Sequence, residues 1–97
     1  MPLDGKQKRL LKSAAQLLPA GVTIGKAGMS EGLVAKVNAL LEIHELIKVR
    51  LPEGDRKKTS DEIASLVGAE LVSLVGRAAV LYRPNPNLPP GTRITLP

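Results

Sequence analysis

Ninety-seven residues, 43% hydrophobic and 24% charged, have the make-up of one ordinary globular domain with little core to spare. The absence of cysteine excludes structural disulfides, thiol chemistry and thiolate metal sites. Fourteen lysines and arginines against nine aspartates and glutamates leave a net charge of +5, which favours an anionic partner, nucleic acid being the commonest. No apolar stretch approaches the length needed to span a bilayer, and the run LLKSAAQLL after the basic N-terminus is too polar for a signal-peptide core. A soluble, cytosolic protein with no membrane partner is expected. Tyr82 is the only aromatic residue. Modules that stack bases on several rings, such as RRM sheets and OB folds, are disfavoured by that count. An RNA partner would have to be held by its backbone.

In chain order, Asp4 can cap a first helix over residues 5–18. At about 100° per residue, Leu10, Leu11, Ala14, Leu17 and Leu18 share one face, and Lys8, Arg9, Lys12 and Gln16 group opposite. Pro19 and Gly21 end this helix. Val22 to Ile24 is a short strand, and Gly25 to Gly32 (GKAGMSEG) leads from it to a second helix capped by Ser30 and reaching Ile43. The apolar face of that helix is Leu33, Val34, Val37, Leu40 and Leu41. Leu46 to Leu51 alternates as a strand, with Ile47, Val49 and Leu51 on one side and Lys48 and Arg50 on the other. After the loop PEGDRKK, Thr59 and Glu62 have capping-box spacing for a third helix closed by Gly68. Leu71–Val75 and Ala79–Tyr82 form a hairpin turning at Gly76 and Arg77. From Pro84 the composition becomes proline-rich and should run extended outside the sheet, with Thr92–Leu96 a weak candidate for an edge strand.

The expected fold is therefore α/β, a small mixed four-stranded sheet with three helices in the order α-β-α-β-α-β-β. Residues 1–84 form a single domain and 85–97 a tail. Both helical connections are long enough for right-handed parallel crossovers.

The stretch GKAG is the most informative one. Gly25 and Gly28 allow a sharp turn and close approach of a ligand, Lys26 adds a positive charge, and a helix N-terminus lies just beyond. A Walker loop needs Gly-Lys-Ser/Thr at its end, and a dinucleotide fingerprint needs G-x-G-x-x-G; the spacing here meets neither. A G-x-x-G loop that clamps a nucleic-acid backbone remains, beside the plain alternative of a tight strand-to-helix turn. His44 has no second histidine or cysteine with which to share a metal and reads as a capping or core residue. Glu42 and Glu45 read as solvated charges, and Asp55, Asp61 and Glu62 as turn and cap residues. No nucleophile, acid–base pair or metal set is apparent, so neither catalysis nor a cofactor is expected.

The segments KQKRLLKSAAQLLP, VTIGKAGMSEGLVAKVNALLEIHELIKVRL and LVGRAAVLYRP, in that order, resemble the CRM domain, the chloroplast RNA splicing and ribosome maturation family. The resemblance is closest to its bacterial stand-alone YhbY-type members and covers residues 3–84. It implies an RNA-binding fold similar to the C-terminal domain of translation initiation factor three, and association with ribosomal RNA or precursors of the large subunit. It places the RNA-contacting loop on Gly25, Lys26, Ala27 and Gly28, the basic helix start on Lys6, Lys8, Arg9 and Lys12, and a strand motif on His44 to Lys48. Gly25, Lys26, Ala27 and Gly28 of the loop, Lys8, Arg9 and Lys12 of the helix, and Lys48 and Arg50 form the expected binding surface. The loop joins a strand to a helix, unlike that of KH domains, whose mode of reading a strand does not transfer. A protein-interaction module docking on a ribosomal protein or assembly enzyme is the alternative.

Overall fold

A computed structural model describes residues 3–25, 28–89 and 94. Its elements are α1 (Gly5–Ala15), β1 (Val22–Thr23), α2 (Glu31–His44), β2 (Leu46–Arg50), α3 (Arg56–Val67), β3 (Glu70–Val75) and β4 (Ala78–Tyr82). The strands lie in the order β1-β2-β4-β3, with β1 parallel to β2 and β4 antiparallel to both of its neighbours. The expected α/β architecture and element order are both found. Strands β2 and β3 run in the same direction across the α3 connection, but β4 lies between them, so the crossover skips one strand.

Alternation along the strands divides the interior into two cores. On one face, Val37 and Leu41 of α2 and Ile63, Ala64 and Val67 of α3 pack on Val22, Ile24, Ile47, Val49, Leu51, Ala79 and Leu81. On the other, Leu11 and Ala15 of α1, with Leu3 before it, pack on Leu46, Val72, Val80 and Tyr82. Tyr82 is only 3% exposed and packs within this smaller core. The one-helix face is the smaller core, and α1 does not cover all of it.

Caps with local signals appear where the sequence puts them. Asp4 accepts from the Gln7 N–H at 2.8 Å while the Gln7 amide oxygen accepts from the Asp4 N–H, a reciprocal box. Ser30 caps α2, and Gly68 closes α3 at φ +65°. The hairpin turns on Gly76, at φ +58°, and Arg77.

Several expectations are corrected. Helix α1 stops at Ala15, because Pro19 disfavours helical geometry at Leu18 and offers no N–H to carry the ladder on. The residues after Ala15 therefore leave the helix line, and Leu17 ends 91% exposed; Leu10 and Ala14 also face outward. Helix α3 is capped by Asp55, four residues before the expected cap Thr59. Gly54, at φ +120°, turns the chain so that the Asp55 carboxylate accepts from the Lys58 N–H at 3.0 Å. The hydroxyls of Thr59 and Ser60 instead bond back to the carbonyls of Asp55 and Lys57, inside the helix. His44 is exposed rather than in the core.

Glu45 is the largest departure. It is 1% exposed rather than solvated, and it is the only non-glycine with positive φ (+60°) among the described residues. Its carboxylate accepts the N–H of Asn85 at 2.6 Å and that of Ile94 at 2.7 Å, and its carbonyl accepts the Arg83 N–H at 2.8 Å. The chain beyond Pro84 is thus anchored at both Asn85 and Ile94, and Ile94 packs against the smaller core. Apart from Ile94, the candidate edge strand at 92–96 lies outside the described residues.

Replacing Glu45 with glutamine keeps the shape but leaves one accepting oxygen for two N–H groups. Glu45→Gln is expected to lower unfolding free energy by about 2 kcal/mol, read from urea melts. An unchanged midpoint would show that the two bonds contribute nothing.

Candidate nucleic-acid interface

The β1–β2 register fixes the position of the glycine loop. Thr23 lies opposite Arg50, and the Ile24 N–H donates to the Arg50 carbonyl at 2.8 Å, so Gly25 leaves the sheet directly beside Arg50. The Gly28 N–H then donates to the Gly25 carbonyl at 3.0 Å, closing GKAG as a turn. Lys26 and Ala27, its two middle residues, lie outside the described residues.

The two glycines differ in what the fold asks of them. Gly28 sits at φ +74°, where an L side chain is strained, so the turn itself requires it. Gly25 does not lie in the left-handed region, and a Cβ built on it would meet nothing within 4 Å. Neither conformation nor packing accounts for glycine there. A ligand approaching the backbone closely would.

At the start of α2, Ser30 Oγ accepts the Leu33 N–H at 3.1 Å, which uses one of the donors an anion could have taken. Glu31 puts a carboxylate in the same first turn. The helix end is therefore a weaker anion receptor than its glycine-rich approach suggests, and the burden passes to the cations around it.

Those cations come together on one sheet face. Lys48 and Arg50 alternate with Val49 and so share the α1 face with Leu46. The Lys48 ammonium donates to the Leu18 carbonyl at 2.8 Å, satisfying the chain just past the end of α1. Lys12 and Lys48 line one cleft of about 410 Å³ between α1 and the β3–β4 hairpin. Arg50 is exposed next to it, where α1 leaves the sheet uncovered. Lys8 stands one turn before Lys12 on the same side of α1. Arg9 and Lys6 point farther round the helix, away from the sheet, by the same 100° geometry. The structure thus sets Gly25 beside Arg50 and Lys12 in one cleft with Lys48, and leaves Lys6 and Arg9 outlying.

One basic residue was not anticipated. Arg77, at the hairpin tip, shares a cleft of about 590 Å³ with Gly25, Thr23, Ile24, Pro52 and Glu53. Its Nε–H donates to the Leu51 carbonyl at 2.9 Å and its carbonyl accepts the Leu51 N–H at 2.7 Å, so the arginine is held beside the loop. Its place in a two-residue hairpin masked any other role in the sequence. Other charges are occupied elsewhere: Lys57 pairs with Asp61 at 2.9 Å, and Arg83 with Glu42 at 3.1 Å. Arg83 also donates to Asn38 and to the Val67 carbonyl, which makes it a clamp between α2 and α3. Among the described residues no three histidines, aspartates or glutamates converge as a metal site, and no helix is long and apolar enough to cross a membrane.

Fold and site together define a small α/β domain with a half-uncovered basic sheet face beside a G-x-x-G turn. The chain belongs to the CRS1/YhbY (CRM) domain family, whose pattern matches residues 3–83. It is 35% identical over 89 residues to a Pseudomonas aeruginosa protein named a probable RNA-binding protein, covering 89% of this chain and 86% of that one. It is 38% identical over 86 residues to a Haemophilus influenzae protein named an RNA-binding protein, covering 86% and 87%. Among solved structures it resembles a Staphylococcus aureus protein described as a candidate RNA-binding protein. There the TM-score is 0.76 and the identity 34%, over 87% of this chain and 91% of that one.

The two glycines can be separated experimentally. Gly28→Ala is expected to destabilise by about 1 kcal/mol through its left-handed φ. Gly25→Ala should leave the melting temperature unchanged or slightly raised. Equal destabilisation by both would mean that Gly25 too is needed by the turn.

Proposed function

We propose that this chain is a non-enzymatic RNA-binding protein that holds structured ribosomal RNA through its G-x-x-G loop and basic sheet face, in the assembly of the large ribosomal subunit. One observation carries the reading: the Thr23–Arg50 register sets the loop beside the cations of β2. A backbone turn without side-chain bulk and a cluster of lysines and arginines are what phosphate recognition needs, and neither demands an aromatic platform. The names of the relatives point to RNA, and the resemblance to the CRM family points to ribosomal RNA. Residues 1–84 act as the binding domain, with Lys26 and Ala27 as the two middle residues of the Gly25–Gly28 loop and Lys8, Lys12, Lys48 and Arg50 supplying positive charge; Arg9, expected among them, points away from the sheet.

One observation favours the protein-docking alternative. Leu18, Leu40 and the exposed His44 line a mostly apolar cleft of about 430 Å³ on the other flank of α1. Salt separates the two readings, since phosphate contacts release counterions and an apolar interface does not. With about four phosphates engaged, log affinity for a ribosomal RNA fragment is expected to fall against log salt with a slope of roughly −3. A slope near zero would remove backbone holding.

The loop is tested by replacing Lys26 and Ala27 with aspartate. Two carboxylates where the phosphate belongs are expected to weaken binding by well over tenfold, more than about 1.4 kcal/mol. The melting temperature should hardly move, because acidic residues near a helix start are tolerated. Unchanged affinity would make the loop architecture alone.

A further inference from the structure

Between α1 and the hairpin lies the cleft of about 410 Å³ lined by Lys12, Ala15, Gln16, Lys48, Ser73, Val75, Ala78 and Val80. Its floor is the α1 face of the sheet at the margin of the smaller core, where Val80 is buried and Val75 is exposed. A bulge decides what stands on that floor. Leu71 is opposite Leu81 and Ser73 opposite Val80, so Val72 is an extra residue in β3. Leu71 and Leu74 pack into the two-helix core, while Val72 packs into the α1 core. Strict alternation would send Ser73 to the two-helix side. The bulge keeps it on the α1 side, so that a hydroxyl lines the cleft.

The cleft therefore combines methyl-bearing walls (Ala15, Val75, Ala78, Val80) with a hydroxyl, a helix-end amide at Gln16, and two ammonium groups. Arg50 stands across the register from Ala78, on the same face, and is exposed. We propose, on the basis of the RNA-binding reading above, that this cleft takes a single unstacked RNA base, the Arg50 guanidinium lying over its face. Ser73 and Gln16 meet its polar edge, and Lys12 and Lys48 hold the flanking phosphates. Each part follows from chemistry. A hydroxyl and an amide both donate and accept, as a base edge requires. A guanidinium plane serves as a stacking surface where rings are lacking, and Tyr82, the one ring, is buried. Lys48 borders this cleft and the mostly apolar one on the opposite flank of α1, but Lys12 borders this one alone and gives it the more positive rim, which matches a polyanion. RNA exposes such bases at bulges and loops, not within a paired A-form stem.

The test uses two RNA hairpins at one salt concentration: one fully paired, the other with a single bulged 2-aminopurine. The intact protein is expected to bind the bulged hairpin about tenfold more tightly, with a change in 2-aminopurine emission. Ala78→Leu, which fills the cleft, should reduce the preference to within about twofold while affinity for the paired hairpin stays the same. Ser73→Ala, with a smaller change in side chain, should cut the preference by about threefold; it keeps the test decisive if the leucine variant unfolds. Equal binding of both hairpins by the intact protein would overturn the base pocket and leave backbone holding in place. A preference that survives both substitutions would also overturn it, because the base would sit elsewhere. Binding of neither hairpin would remove the RNA-binding reading and the pocket with it.

Discussion

The structure depends on the way the chain leaves α2. Helix α2 ends at His44 and β2 begins at Leu46, so Glu45 alone makes the connection, at φ +60°. A non-glycine residue held there costs on the order of 1 kcal/mol or more. A buried carboxylate without partners would cost far more. Both are tolerated because Glu45 is bound on every side: its carboxylate by the N–H groups of Asn85 and Ile94, its carbonyl by the Arg83 N–H. A one-residue connection leaves no slack. It fixes where β2 starts, hence which residues face α1, and a slip of one would turn Lys48 and Arg50 into the two-helix core. The basic face is thus set by a carboxylate on the same short segment.

What the sequence made legible was local. Asp4, Ser30, Gly68 and the Gly76–Arg77 hairpin act within a few residues of themselves, and their signals survived folding. The faces of α2 and β2 were legible for the same reason, because periodicity is a property of the element. The errors arose where two local readings competed or where a distant partner decided. Thr59 had capping-box spacing, but Asp55 after Gly54 caps first and leaves the hydroxyls of Thr59 and Ser60 to bond backward. Leu17 fits a helix that Pro19 does not let continue. Glu45 looked like any surface glutamate because its partners are 40 and 49 residues away. The extra residue at Val72 left no mark in composition, since LVSLV reads as a strand with or without a bulge.

The candidate site divides in the same manner. The G-x-x-G loop and the basic residues of α1 and β2 were visible as residue types, but sequence could not say which of them meet. Strand pairing places Lys48 and Arg50 on the α1 face, the rotation of α1 turns Lys12 toward it and Lys6 and Arg9 away, and the hairpin brings in Arg77, whose turn position hid it. Nor is a positive charge in itself a sign of function. Arg83 clamps Asn38, Val67 and Glu42, Lys57 pairs along its own helix, and Arg56 donates to the Gly76 carbonyl. These three cations serve the fold, whereas Lys12, Lys48 and the exposed Arg50 stand at the cleft beside α1.

That partial covering follows from the length of α1. Pro19 stops the helix at Ala15, and the eleven-residue helix packs Leu11 and Ala15 against the sheet without reaching the β1 edge. Had it continued to Leu18, another turn of apolar side chains would lie over the floor near Lys48. The early stop leaves Arg50 and Val75 exposed, and the Leu18 carbonyl, just past the helix, accepts from the Lys48 ammonium. One proline thereby opens the sheet face and helps position a cation at its margin. A chain with a single, buried aromatic ring has no aromatic platform on which to stack a base. The open face supplies what such a chain can offer instead: backbone at Gly25, fixed positive charge, and a short stretch of sheet wide enough for a ligand to lie against.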